Sequence, residues 1–367
     1  MTDASRWRTV CAYYFDDAGK DDLLLDVVRP LLDRLTGADG DSGGDVEAAY
    51  FLRHWRRGPH LRLNFRTTED AMNRRVLPAV DLAVGGFLRE RPSVSGLDPY
   101  ALLPAYRRLA EAEHEELPLW PPRPDNFLCT EAYDSRARVL GGEAPAAFVA
   151  DFYTAANPAA FAALEAVREE RQRLWTAFEL MVVTAHVFSG CEVRRGFVSY
   201  RAHADTYLAR AADQGRVRTE WDRIYRAARP ALHARLDRVV SDVTGAGHLR
   251  AWTAALTAVR ERGFALADSG ALTMDHASRP SAGTTAFLED LLASEDFRLR
   301  MKPSAAFRHY RLVLNLLYLQ LTRIGIRAAE RYLLGHLVAR TVEEFYGVDA
   351  ATVMREEAAR VGGGASS

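Results

Sequence analysis

The spacing of hydrophobic residues in the first ninety positions predicts alternating strands and helices. Residues 8–15 are rich in aromatic and β-branched side chains, which favours a strand. Residues 21–35 place leucine and valine at helical spacing, but Pro30 falls inside that pattern, so we expect a kink or a break there. The glycine-rich residues 37–44 predict a flexible loop.

Two strands joined by a short turn are predicted next. Residues 49–55 and 60–66 flank the turn sequence Arg-Arg-Gly-Pro, and the second strand alternates strictly between apolar and polar side chains. Its apolar face carries Leu61, Leu63 and Phe65, and its polar face carries His60, Arg62, Asn64 and Arg66. Residues 68–90 then have a helical pattern, which completes a β-α-β-β-α order typical of an α+β domain.

The rest of the chain is predicted to be mainly helical. The predicted segments are a proline-rich crossover at 91–125, helices at 145–188, a loop entering a helix at 196–208, a helical stretch at 216–262, a linker at 278–283, and helices at about 303–322 and 327–346. We therefore predict an α+β fold with a mixed or antiparallel sheet, packed helices, and a largely helical insertion and C-terminal part. One domain is expected over 1–360, with a helical middle section at about 145–275 and a disordered tail at 361–367.

Composition and charge exclude several classes of function. The chain has 48 basic and 49 acidic residues, a balance that argues against a general binder of nucleic acid or of anionic membranes. Cys11, Cys129 and Cys191 are far apart and form no CxxC pair, so we expect neither a disulfide framework nor a metal site. With no signal peptide and no apolar run long enough to span a membrane, we expect a cytoplasmic protein.

Four sequence blocks resemble one known family. Residues 50–66 (YFLRHWRRGPHLRLNFR) closely resemble the FxxRYxxxxPHxRLRF hairpin of the C-terminal domain of lanthipeptide and thiopeptide dehydratases. Residues 133–142 stand where that family has a Tyr-x-Pro-Glu-x-x-Arg-Tyr-Gly-Gly block, and residues 146–153 resemble the helix that follows it. Residues 314–325 stand where members that eliminate glutamate carry Leu-His-Met-x-x-Asn-Arg-Leu-x-Gly. The resemblance covers most of the chain.

Departures from these motifs change the function that the resemblance implies. The late block has leucine and tyrosine in place of the family's proton-transferring histidine, and Arg136 replaces the glutamate of the middle block. The chain is thus similar to the stand-alone thiopeptide pyridine synthases. These join two dehydroalanines by a formal aza-[4+2] cycloaddition and expel water and the leader peptide, with no cofactor.

The resemblance also implies the partner. We expect a dehydrated, azole-containing precursor peptide with its leader, and the question of a homodimer stays open. Two other functions remain in view: a glutamate-elimination subunit of a split dehydratase, and a non-catalytic scaffold that only binds the leader.

Candidate site residues follow from the proton transfers that this cycloaddition needs, which suit hydroxyl, phenol, imidazole and amide groups. The predicted catalytic residues are Ser199, Tyr200, His203, Tyr318 and Gln320. The predicted substrate-binding residues are Arg53, His60, Arg62, Asn64, Arg201 and Asn315.

Each candidate has a structural alternative. Ser199 would cap a helix and His203 would lie on its surface, Asn315 or Gln320 would make a structural hydrogen bond, and the polar strand face would be solvated. Glu179 and His186, seven residues apart, are expected to be a packed pair rather than catalytic groups.

Overall fold

The computed structural model describes residues 5–37, 46–116, 118–272 and 285–363. The chain divides into two compact units. The first comprises Met1–Val139 with Val149–Asn157, and the second comprises Leu140–Phe148 with Pro158–Ser367.

The first unit is built on a four-stranded antiparallel sheet. Its strands are β1 (Arg6–Tyr13), β2 (Val46–His54), β3 (His60–Thr67) and β4 (Phe127–Glu131), in the order β2-β3-β1-β4. With a helical segment after β1 and another after β3, this is the β-α-β-β-α-β arrangement of ferredoxin-like domains. The predicted hairpin and the α+β class are confirmed. The strand β4 was not predicted, because five residues inside a proline-rich stretch carry little periodic signal.

The two predicted helices of this unit contain π-helical turns. The first segment consists of α1 (Gly19–Asp22), a π-helical turn (Leu23–Val28) and α2 (Arg29–Thr36). The second consists of α3 (Glu69–Ala71), α4 (Leu77–Val80) and α5 (Gly86–Glu90), with π-helical turns at Met72–Val76 and Asp81–Gly85. The chain stays helical through Pro30, so of the predicted kink or break, the break is wrong. The π-helical turn just before Pro30 changes the hydrogen-bond ladder where proline has no N–H to donate.

Both faces of the strand β3 are buried from His60 to Phe65. Leu61, Leu63 and Phe65 are completely buried on one face of β3, and His60, Arg62 and Asn64 are buried on the other. The segment between α5 and β4, predicted to be a plain crossover, contains α6 (Leu103–Glu113) and places Leu97 against the second face. His60, Arg62 and Asn64 are therefore not solvated, whereas Arg66 at the end of this face is partly exposed.

The other helices are listed in chain order. They are α7 (Ala137–Leu140), α8 (Glu143–Ala155), α9 (Asn157–Glu170), α10 (Arg173–Phe188), α11 (Val193–Gly196), α12 (Val198–Leu208), α13 (Gln214–Ser241), α14 (Gly247–Asp268), α15 (Ala286–Ala293), α16 (Ala305–Arg323), α17 (Ala328–Tyr346) and α18 (Ala350–Gly363), with a π-helical turn at Phe297–Met301 before α16. The predicted helices at 145–188, 303–322 and 327–346 are confirmed.

The second unit is organised around α10. Ten consecutive residues of this helix, 176–185, are buried, and α11, α13, α14, α16 and α17 pack around it. A helix that is apolar on every side requires such complete coverage. Glu179 is the charged residue within this buried, mainly apolar stretch. Its carboxylate forms hydrogen bonds with His248 at 3.0 Å, with Arg235 at 2.5 Å and with Arg238. Its expected pairing with His186 is wrong.

Three other expectations need correction. Residues 196–208 were predicted to be a loop entering a helix; the helix is present as α12, but the residues before it belong to α11 rather than to a loop. The helical stretch at 216–262 is divided by a turn into α13 and α14. The first three residues of the predicted disordered tail, 361–363, belong to α18. The predicted linker at 278–283 and residues 364–367 lie outside the described residues.

Candidate functional site

A histidine and a tyrosine from two helices form the centre of the candidate site in the second unit. His203 lies on α12 and Tyr318 on α16, and the distance from the His203 Nδ1 atom to the Tyr318 hydroxyl is 2.6 Å. Both side chains are half-buried, and their rings are tilted at 57° to each other. The short, partly accessible contact joins two groups that can each donate and accept a proton.

Two arginines determine the charge around this pair. Burial, Arg331 and Arg311 lower the pKa of His203 to about 4, so the imidazole is neutral at pH 7. Burial raises the pKa of the Tyr318 phenol, which keeps it protonated. The neutral imidazole accepts a hydrogen bond from the phenol when its proton is on Nε2, and donates one to the phenol oxygen when its proton is on Nδ1. The Arg331 guanidinium lies over the Tyr318 ring, 5.1 Å from its centroid. Negative charge that develops on a bound group would be stabilised beside these cations.

Helical spacing adds two polar residues to the same faces. Ser199 lies four residues before His203 on α12, and Asn315 lies three residues before Tyr318 on α16. Both are half-buried, and neither side chain has a hydrogen-bond partner among the described residues. Ser199 is inside α12, whose N-cap is Phe197, so the expectation that it caps the helix is wrong. The structure thus brings together four of the predicted residues.

Tyr200 and Arg201 point into the protein instead. Tyr200 is completely buried, and its hydroxyl donates a hydrogen bond to the Met181 carbonyl of α10 at 2.8 Å. Arg201 pairs with Asp205 at 3.1 Å and with Glu343 at 3.0 Å. These contacts connect α12 to the rest of the unit, so the structure gives both residues a role in the fold. A contact with substrate stays a prediction for each.

Gln320 is buried on another side of α16. It follows Tyr318 by two residues, which turns its side chain away from the His203 pair. Its Oε1 atom accepts a long hydrogen bond from Arg323 at 3.4 Å, and its Nε2 atom has no hydrogen-bond partner in the part of the chain that the structure describes. A catalytic role for Gln320 remains a prediction.

A second polar cluster lies on the buried face of the sheet in the first unit. Asn64 accepts a hydrogen bond from the Thr9 hydroxyl at 2.7 Å, and the Arg62 Nε atom lies 3.4 Å from His60 Nε2. Burial, followed by Arg62, lowers the pKa of His60 to about 3. Arg53, the fourth predicted contact from this hairpin, is paired with Asp21. These residues form an internal polar layer, and substrate binding by them remains a prediction.

A shallow depression in the first unit was not predicted. It measures about 490 Å³ and is lined by Leu103, Arg107, Pro118, Leu119 and Trp120. Trp120 is 48% exposed, and its ring packs edge-on against Tyr100, which is 58% exposed. The sequence signal was the pair of proline-rich stretches around these aromatic residues, which appeared to be no more than a crossover.

Two further properties concern metals and membranes. Among the residues that the structure describes, no three His, Cys, Asp or Glu side chains converge as a metal site. No single described helix is long and apolar enough to cross a membrane, although the bent pair α10 and α11–α12 meets that test by length and composition.

Comparisons with known proteins give consistent results. The family model described as lantibiotic biosynthesis dehydratase C-term matches residues 7–342. The structure of the pyridine synthase TbtD, from thiomuracin biosynthesis, superposes with a TM-score of 0.74 and 37% identity, covering 94% of this chain and 100% of that one. TsrL has a TM-score of 0.70 at 22% identity, with 96% and 98% covered, which shows a common fold. A search of curated protein sequences found no significant match.

Proposed function

We propose that this chain, which belongs to the family of lantibiotic biosynthesis dehydratase C-terminal domains, is a pyridine synthase of thiopeptide biosynthesis. The observation that carries the proposal is the likeness to TbtD, which is 37% identical and is covered over its full length. Because the family match extends through both compact units, we propose that they serve one reaction as a single domain.

The reaction requires one dehydroalanine amide to become a 2-azadiene. The amide nitrogen loses its proton and the amide oxygen gains one, and the azadiene then adds to the alkene of the second dehydroalanine, forming two bonds of the ring. Loss of water, followed by loss of the leader as a carboxamide, gives the pyridine. Proton transfer by positioned groups typically accelerates such steps by about 10²–10⁴-fold.

The His203–Tyr318 pair supports this chemistry. With the proton of the neutral imidazole on Nδ1, Tyr318 can deliver its phenol proton to the amide oxygen while Nε2 of His203 takes up the amide N–H proton. The Nδ1 proton then passes to the phenolate across the 2.6 Å contact, so that no net charge accumulates. Arg311 and Arg331 would stabilise the negative charge that develops on the Tyr318 oxygen as its proton leaves. Ser199 and Asn315, which lie on the same helix faces as this pair, are the proposed partners for the amide groups of the peptide.

The partner we propose is a dehydrated, azole-containing precursor peptide with its leader. The Trp120 depression is the proposed leader contact, because the buried β3 face offers no open surface. Arg107 lines the depression, and Arg57 donates a hydrogen bond to the Pro121 carbonyl at 2.7 Å. Exposed aromatic rings beside cationic side chains suit an acidic peptide with apolar anchor residues.

This leader contact has its own test. Trp120→Ala should weaken binding of a fluorescently labelled leader peptide by at least about tenfold, measured by anisotropy, since an exposed tryptophan is a typical binding hot spot. Leu82→Ala is the control, because Leu82 is 73% exposed and does not line the depression. If Trp120→Ala binds the leader peptide as tightly as Leu82→Ala does, the depression is not the leader site. That result would leave the proposed reaction unaffected.

Glutamate elimination is the less favoured function. The block at 314–325 supplies leucine and tyrosine where the eliminating relatives have histidine, and the likeness to TbtD supports ring formation instead. A non-catalytic scaffold would have no use for a half-buried His–Tyr pair whose histidine is kept neutral by burial and by two arginines.

Two parallel incubations, one with a dehydrated precursor and one with a glutamylated precursor, distinguish the three functions. The purified protein is mixed with a precursor that carries two preformed dehydroalanines, and the products are followed by mass spectrometry. A macrocyclic product with a released leader carboxamide is the expected result. Conversion of a glutamylated precursor to dehydroalanine would identify an eliminase instead, and unchanged precursor that still binds would identify a scaffold.

A further inference from the structure

Two of the three cysteines face each other across adjacent strands of the sheet. Cys11 on β1 and Cys129 on β4 are direct partners in the antiparallel register. Directly opposed residues in such a pair have Cα atoms about 4.5–5.5 Å apart, within the range of about 4.4–6.8 Å that a disulfide spans. Opposed side chains also point to the same side of the sheet. Sequence spacing does not predict this contact, because 117 positions lie between the two cysteines.

The thiols are in contact and differ in their surroundings. Cys129 is half-buried and packs against a cluster that contains the fully buried Cys11. The side-chain hydrogen bond with Cys11 lowers the pKa of Cys129, with Arg123 and Arg57 acting in the same direction. The hydrogen bond with Cys129, together with burial, raises the pKa of Cys11. Cys129 is thus the more accessible and more reactive thiol. Cys11 is the buried thiol that would react second.

We propose that Cys11 and Cys129 form a reversible disulfide that links β4 to β1. A low-molecular-weight disulfide such as oxidised glutathione is the oxidant. The Cys129 thiolate attacks one of its sulfurs, which forms a mixed disulfide and releases one glutathione thiolate. The Cys11 thiol then loses its proton and attacks Cys129 Sγ, which releases the second glutathione. The two cysteines lose two electrons and two protons in all, and the glutathione disulfide is reduced to two thiols.

The geometry also predicts which cysteine stays reduced. Cys191 lies in the second unit, in the turn after α10, and its Sγ atom is 3.5 Å from the Ser189 hydroxyl. The described structure contains no disulfide among the three cysteines, and Cys11 and Cys129 are the two that oppose each other in the sheet register. Oxidation should therefore be selective for one pair.

Peptide mapping tests the proposal on the full chain. The protein is equilibrated with oxidised glutathione, its remaining thiols are blocked with N-ethylmaleimide in denaturant, and the digest is analysed without reduction. The expected result is a peptide pair joined through Cys11 and Cys129 with the loss of two hydrogens, reversed by dithiothreitol, with Cys191 alkylated. The variant Cys191→Ser should retain the link and Cys129→Ser should lose it.

Two results would overturn the proposal. One is alkylation of both Cys11 and Cys129 in the oxidised wild-type protein. The other is a crosslink of Cys129 to Cys191 or to a second chain. Because the wild-type map alone decides the matter, a variant that fails to fold does not affect the conclusion. The outcome is also independent of whether the protein forms pyridines.

Discussion

The Nδ1 atom of His203 lies 2.6 Å from the hydroxyl of Tyr318, although 115 positions separate the two residues in the chain. Each comes from the middle of a helix, so the rigid backbone of α12 and α16 fixes their distance. Groups held on rigid elements need little rearrangement before they transfer a proton. This pair is therefore where substitutions should affect turnover most directly.

Tyr318→Phe and His203→Ala should each lower kcat by about 10²–10⁴-fold, the usual contribution of a proton-transferring group. Affinity for the leader should remain, because neither residue lines the Trp120 depression. Tyr207→Phe is a matched control: Tyr207 is also on α12, but its ring stacks on Tyr332 and makes no described hydrogen bond. Turnover and leader binding are measured separately. If Tyr318→Phe and His203→Ala both keep full turnover, the pair does not take part in proton transfer.

Tyr200→Phe should affect stability rather than catalysis. The substitution removes a buried hydrogen bond to the Met181 carbonyl and should lower the free energy of unfolding by about 1 kcal/mol. Ser199→Ala, in contrast, should lower turnover with little change in stability, because Ser199 makes no described hydrogen bond. Urea unfolding and steady-state rates of the two variants provide the comparison. A large loss of kcat in a stable Tyr200→Phe protein would restore Tyr200 as a catalytic residue.

Acid should destabilise the protein from about pH 6.5 downward. Burial lowers the pKa of His203 and of His336 to about 4, and that of His60 to about 3, from 6.5 in the unfolded chain. Between these values the unfolded state binds more protons, so the free energy of unfolding falls as pH falls. The slope is at most about 1.4 kcal/mol per pH unit for each histidine.

Urea unfolding at pH 7.0, 5.5 and 4.5 measures this slope. His203→Gln should make it shallower, because glutamine does not titrate in this range. An unchanged slope in that variant would mean that His203 is protonated equally in the folded and unfolded states.

Gly335→Ala should destabilise the protein, although alanine normally favours a helix by about 1 kcal/mol over glycine. A Cβ atom at Gly335, on α17, would lie 3.0 Å from the Tyr200 carbonyl oxygen of α12, so the two helices must separate. We expect a loss of roughly 1–3 kcal/mol in the free energy of unfolding, with reduced turnover because α12 carries His203. Gly86→Ala is the control, since nothing lies within 4 Å of its added Cβ. If Gly335→Ala is as stable as Gly86→Ala, the close approach of α17 to the Tyr200 carbonyl does not limit stability.

Local patterns predicted much of the fold but only part of the site. The alternation in 60–66 predicted β3 correctly, because a strand has a period of two that the sequence displays directly. It did not reveal that His60, Arg62 and Asn64 are buried, since their cover comes from Leu97 and neighbours far along the chain. Burial of a polar face depends on non-local packing that one strand does not encode.

The stretch from Ser199 to His203 illustrates the same limit within a helix. These residues were grouped because they are close in sequence, but successive positions on a helix differ by about 100°. Ser199 and His203 consequently share a face, and Tyr200 points towards Met181 of α10. Gly196 was predicted to be a loop residue, but it is the last residue of α11. Glycine is needed there for close packing, because an added Cβ would lie only 2.7 Å from the Ser189 side chain.

The position of β1 inside the sheet has a consequence for synthesis of the protein on the ribosome. Both neighbours of β1, β3 and β4, follow it in sequence, so one side of the strand has no partner until residue 131 has emerged. During that interval its backbone N–H and C=O groups are open to pairing with strands of other nascent chains. Slow translation through the proline-rich stretch before β4 would prolong this exposure, and a chaperone that shields short apolar strands would shorten it.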